Sequence, residues 1–336
     1  MDFRYTQNQQ DLIEATKKVL EGKNTLQRLR DLVGERRAEN TIKQTKDNGA
    51  SDIWNQFADL GLFGIMANET DGGLEQPLVV MAGVAEAAGY VALPEPLVEL
   101  AGIVVPLLSQ MNNLEHLIQV LEGRLSVGII TPLLPINNAT AYHDMFIVTS
   151  KFGGELILKE DLNLESRHSI DPLRTLAKTD KPSSLNTLAD YHGAVLSAAQ
   201  LLGLAQRMID MSSEYAKNRY QFGQPIGAFQ AIKHQLATAY MQIEFTRPII
   251  QLAALQGGVV VHNAKLAAID AAMLAAETAI QVHGGMGYTY EVDLHLFMKR
   301  TWALCGEWGD RSYHMKKLED YLLNGELEIG TMRTFI

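Results

Sequence analysis

The chain has 336 residues, with 29 Lys and Arg against 39 Asp and Glu and a formal net charge of −10 at pH 7. That balance argues against a nucleic-acid groove, which needs a positive field, and a hydrophobic content of 47% excludes disorder as the dominant state. One cysteine, Cys305, leaves no disulfide framework and no cysteine-based metal cluster, and fits a reducing, cytoplasmic setting.

From Gln7 to about Glu122 the apolar residues recur at helical spacing. Leu12, Ile13, Val19 and Leu20 share one face, and Leu26, Leu29, Leu32 and Val33 continue it. Trp54, Phe57 and Leu60 lead into breaks at Gly61 and Gly64. Asp71-Gly72-Gly73 is a turn, Gln76 to Tyr90 reads as a helix rich in small residues, and the next helix starts near Pro96. Composition changes at Gly123. Leu125 to Thr131, Met145 to Thr149 and Glu155 to Leu158 are short β-branched or alternating runs bounded by Pro, Asn and Gly, so they read as strands. After Lys181-Pro182-Ser183-Ser184 the chain turns helical again. Leu185 to Asn218, Ile226 to Gln256, Val259 to Val282 and Val292 to Leu323 are four long helix candidates, most simply an antiparallel bundle.

The expected fold is therefore mainly α, with a helical domain over 1–122, a reduced β domain over 123–184 and a four-helix bundle over 185–336. The longest apolar stretches are interrupted by Glu86, Asp270 or Glu277, so no membrane span is expected. The nine histidines form no i, i+4 pair, and neither a Walker loop nor a Gly-x-Ser-x-Gly elbow is present. No metal site is expected.

Two stretches carry candidate chemistry. In Arg219-Tyr220-Gln221-Phe222-Gly223-Gln224-Pro225-Ile226-Gly227-Ala228-Phe229-Gln230 one helix ends and another begins. An Arg beside the backbone amides of a helix start suits a pyrophosphate. The plain alternative is that Arg219 complements the C-terminal dipole of its own helix. In Gln281-Val282-His283-Gly284-Gly285-Met286-Gly287 the glycines let a ligand approach the backbone, or simply stop a helix and turn the chain.

Together these stretches resemble the C-terminal helical domain of the acyl-CoA dehydrogenase family, with its Arg-x-x-Phe-Gly-x-x-Ile-x-x-Phe-Gln and Gln-x-x-Gly-Gly-x-Gly segments. The resemblance runs through Asp293 to Arg300 and on to Gly309. It takes in Leu60-Gly61-Leu62-Phe63-Gly64 and Asp71-Gly72-Gly73 near the N-terminus. It implies FAD bound across a subunit interface, with Arg219, Phe222 and Gln230 on one side of the dinucleotide and Gln281, Gly284 and Gly285 on the other.

The family also needs a carboxylate base for α,β-desaturation of an acyl-CoA. Ungapped counting from Gln281 puts Trp308 in the usual position and Glu307 one residue early, a rotation of about 100° on a helix. The minority position, on the first helix of the bundle, falls near Gly193. The middle domain lacks the family's Thr-Glu-x-x-x-Gly-Ser-Asp-like strand end and Trp-bearing strand. The resemblance thus implies no catalytic residue in this chain. It points to the shorter subunit of a heterotetrameric (α2β2) bacterial dehydrogenase of the steroid side-chain type, whose partner subunit supplies the base and the flavin-ring site. A homomeric dehydrogenase using Glu307, a flavin monooxygenase of the same fold, and a helical adaptor with a decayed cofactor site are the alternatives.

Overall fold

The computed structural model describes residues 3–39, 50–134, 137–138 and 142–324. Helix α1 (Gln7–Lys23) opens with a capping box in which Thr6 and Gln9 each bond the other's backbone N–H, satisfying two donors that a helix start leaves open. Helices α2 (Leu26–Glu39) and α3 (Ala50–Asp59) follow. Leu20, Leu29 and Phe57 are buried from the faces the spacing picks out. Helix α4 (Leu78–Tyr90) is apolar nearly all round and correspondingly buried. The next helix runs as α5 (Leu97–Glu99), a π turn (Leu100–Val104) and α6 (Val105–Gln110), and α7 (Leu114–Leu121) closes this part.

Two small sheets come next. In the first, β1 (Val127–Ile130) pairs parallel with β3 (Met145–Ser150), which pairs antiparallel with β4 (Gly153–Leu158). The second has the order β2 (Asn137–Asn138), β6 (Leu176–Thr179), β5 (Leu164–Arg167). The three strands of this second sheet are not among those read from the sequence, because Leu164 to Arg167 carries a single apolar residue and Asn137-Asn138 none. Ile130, Phe146, Val148, Ile157 and Leu162 make a separate small core here.

The C-terminal part holds α8 (Thr187–Asn218), α9 (Gln230–Gln256), α10 (Val260–His283), α11 (Leu294–Cys305) and α12 (Arg311–Asn324), with a short hairpin of β7 (Tyr220–Gln221) and β8 (Gln224–Pro225) between α8 and α9. Helix α8 packs against α4, α9, α10 and α11. Glycines set its approach to α4: a Cβ on Gly203 would lie 2.6 Å from the Tyr90 amide nitrogen, inside van der Waals contact. The small residues of Gln76 to Tyr90 thus serve a close helix crossing.

The single helix expected over Val292 to Leu323 is two. Trp308 and Gly309 take positive φ of 57° and 94°, a backbone region that helices do not use, so the chain breaks between α11 and α12. Buried ion pairs fasten the helical and strand-bearing parts together. Arg174, just before β6, reaches Glu307 in that break through both carboxylate oxygens at 3.1 Å, and Glu99 on α5 at 3.3 Å. Arg300 on α11 pairs with Asp171 and donates to the Leu93 carbonyl at 2.7 Å.

Candidate functional site

Arg219 caps α8 in an extended conformation, and its carbonyl accepts the Ile226 amide at 2.8 Å, closing the β7–β8 hairpin. The turn is Phe222-Gly223, at φ 53° and 81°. Phe222 is 92% exposed, with its ring edge-on to Phe229. Gln230, the first residue of α9, is exposed. The Arg219 side chain is exposed as well, and none of the described residues pairs with it. Among the described residues its side chain makes no hydrogen bond to the carbonyls of its own helix; its place at the C-terminal end of α8 still suits the dipole.

Gln281 is exposed on the last turn of α10. Gly284 ends that helix at φ 59°, ψ −135°, a region open essentially to glycine, and a Cβ on Gly284 or Gly285 would meet nothing within 4 Å. The two stretches share one end of the bundle: Tyr215, four residues before Arg219, stacks on His283 with ring centroids 4.4 Å apart. No hydrogen bond joins the two sets of residues to each other among the described residues. At that end of the bundle they leave an exposed guanidinium with no partner among the described residues, an exposed aromatic ring and bare glycine backbone. A guanidinium and bare backbone can take a diphosphate by charge-assisted hydrogen bonds, and an exposed ring can take a purine by stacking.

The two positions at which the resemblance would place a base, 308 and 193, lie against each other. Trp308 is 2% exposed, and its indole lies against Gly193 so tightly that a Cβ there would fall 2.5 Å from Trp308 Cε2. Where one position would need a carboxylate there is an indole, and the other is kept as glycine to admit it. Glu307 is buried and gripped by Arg174. Burial pushes its carboxyl above the usual range, while the Arg174 guanidinium pulls the other way. The carboxylate on the same helix end is Asp190, one turn before Gly193. Burial raises it to about 6, and it is engaged by the Asn186 amide at 3.1 Å and the Thr131 hydroxyl at 3.5 Å.

Sequence reasoning missed several buried ionisable groups here. Lys265 is 0% exposed, donates to Ser197 Oγ at 2.6 Å and the Leu304 carbonyl at 2.9 Å, and is pulled down to about 8 by burial. A lone Lys in the Ala-rich run of α10 was the available signal. Arg174 gave none, since its partner lies 133 positions away. His314 donates from Nε2 to the Trp308 carbonyl at 3.0 Å and shares a 2.8 Å Nδ1 to Nδ1 hydrogen bond with His262.

Burial, followed by Lys265 and His262, pulls His314 down to about 4. The unfolded chain takes up a proton as pH drops below about 6.5, and the folded chain refuses it until about 4, so stability should fall with pH across that window. Thermal melts between those limits should show a weaker pH dependence in His314→Gln; an identical slope would remove His314 from the acid response.

Among the described residues no group of His, Cys, Asp and Glu could hold a metal ion, and no helix is long and apolar enough to cross a membrane. Residues 189–309 match the family model for the C-terminal domain of acyl-CoA dehydrogenases. The acyl-CoA dehydrogenase IpdE2 of Mycobacterium tuberculosis (strain ATCC 25618 / H37Rv) is 30% identical over 258 residues, covering 74% of this chain and 80% of that protein. The chain belongs to the acyl-CoA dehydrogenase family. Among solved structures, the ChsE4-ChsE5 complex from Mycobacterium tuberculosis is similar with a TM-score of 0.82 at 19% identity, over 98% of this chain and 100% of that one. A steroid ACAD, Tcur3481-Tcur3483 in its G363A variant, gives 0.74 at 21% identity, over 95% and 98%. At those identities the likeness is one of fold. As an acyl-CoA dehydrogenase fold the chain is mainly helical, with a small strand-bearing middle.

Proposed function

We propose that this chain is the FAD-binding, non-catalytic subunit of a hetero-oligomeric, cytoplasmic acyl-CoA dehydrogenase that desaturates an acyl-CoA, a steroid side-chain thioester among the candidates. Its partner supplies the base and the flavin-ring site in an α2β2 assembly. The observation that carries this reading is the Trp308 indole seated on Gly193, which leaves neither base position with a carboxylate. Glu307, committed to Arg174, is a poor substitute. Two of the fold neighbours, a ChsE4-ChsE5 complex and a steroid ACAD, support the two-subunit and steroid parts of the proposal.

The diphosphate end of FAD fits the residues present. Arg219 would neutralise phosphate charge, Phe222 would cover the purine and Gln230 would donate to the same half. Gln281, Gly284 and Gly285 would offer an amide and bare backbone to the half held by a neighbouring subunit. All six are exposed, as residues of a shared site must be before assembly. When bound, FAD supplies the hydride acceptor of the reaction. The division at 122 and 184 remains part of the same proposal.

Co-expression with a full-length acyl-CoA dehydrogenase chain from the same genome, followed by purification and a visible spectrum, tests the reading. Flavin absorbance in a complex of the two chains is expected. No flavin and no co-purifying chain would sink the proposal, and a partner without flavin would favour the adaptor. In the same complex Arg219→Ala should weaken flavin retention by about 1.5–3 kcal/mol, the scale of a hydrogen bond to a charged group; unchanged flavin content would return Arg219 to its helix.

A further inference from the structure

Trp308 is held in place by more than ordinary core packing. It is a bulky residue at φ 57°, an outlying conformation for a side chain of that size, and the fold holds it there from three directions. His314 donates to its carbonyl, and His314 is itself oriented by His262. Gly309 follows at φ 94°, where a Cβ would lie 2.5 Å from the Tyr313 ring. On the indole's other side Gly193 provides the notch. The neighbouring wall is also irregular: His192, beside Gly193, donates to the Gly102 carbonyl at 2.7 Å, and Gly102 lies in the π turn Leu100–Val104. Interruptions of this kind in a helix frequently border functional sites.

We infer that the Trp308 indole is a built-in stopper that occupies the volume an acyl chain would otherwise enter, so that this chain excludes the thioester's acyl group rather than merely failing to react with it. The inference rests on the subunit reading above. A side chain filling a glycine-floored notch takes up the apolar volume that a ligand would use, and close-packed interiors leave no room for both. Removing the indole should therefore uncover an apolar cavity of the kind that binds hydrophobic ligands. The class of ligand is an aliphatic acyl thioester.

The test is isothermal titration of the co-purified complex, or of the chain alone where none co-purifies, with hexanoyl-CoA and with free CoA. Trp308→Ala should bind hexanoyl-CoA at one additional site per copy of this chain and at least tenfold more tightly than the unaltered chain does, with no matching gain for free CoA. Trp308→Leu, which opens less space, decides the matter if the alanine variant does not melt cooperatively. A folded variant that binds hexanoyl-CoA no better than the unaltered chain, or that gains equally for free CoA, overturns the inference. Flavin absorbance read on the same samples keeps the two ideas separate: its absence throughout counts against the cofactor reading, whatever the acyl titration gives.

Discussion

Arg174→Met should lower the unfolding free energy by about 3–5 kcal/mol, the range found when one partner of a buried ion pair is removed. Arg174 is buried and faces two carboxylates, Glu307 and Glu99. Burial pulls its guanidinium down, and the attraction of Glu307, Glu99 and Asp171 more than offsets this, so it stays charged. Without it, Glu307 is a buried acid that has lost its hydrogen-bonded counter-charge, with only the more weakly acting Lys265 and Arg300 left nearby. The loss should appear in urea denaturation as a lower midpoint at unchanged slope. Arg174→Met combined with Glu307→Leu should recover part of it, because replacing both charges by apolar groups removes the desolvation penalty. A loss of under about 1 kcal/mol in the single variant, the scale of a surface pair, would show that the network adds little to stability.

Gly193→Ala should destabilise as well, for a reason opposite to what helix propensity suggests. Alanine inside a helix is better than glycine by about 0.8–1 kcal/mol, but overpacking a full core costs about 1–3 kcal/mol, and the new methyl would press on the Trp308 ring. The clash should win in the unaltered chain. In a Trp308→Leu background the clash is relieved, propensity remains, and Gly193→Ala should turn neutral or stabilising. A sign that does not change between the two backgrounds, measured by denaturation, would mean that Gly193 and Trp308 are not coupled.

The helices were legible where the period was long and regular. The faces of α1 and α2, the length of α8 and the glycine stop after α10 all follow from spacing and from where glycine falls. The break before α12 was also written in the chain, as Gly306-Glu307-Trp308-Gly309-Asp310, but the helical period on either side outweighed it. Strand β2, with two asparagines, and β5, with one apolar residue, carry no pattern apart from their pairing with β6. At the candidate site the exposed residues could be read from local motifs, because turns and glycine backbone are local. The buried charges could not: Arg174 with Glu307 and Arg300 with Asp171 are contacts across 133 and 129 positions, set by how the parts of the chain pack.

The crossing of α4 over α8 bears on what can be cut from this protein. Because α8 meets α4 through glycine at backbone distance, its inner face is a trough of Ala, Gly and Leu shaped to one neighbour. A truncated piece beginning at Thr187 would bare the stretch of α8 that α4 covers and would be sticky rather than free-standing. The N-terminal helices are a permanent lid on the C-terminal ones, and any shortened version of the protein has to keep both.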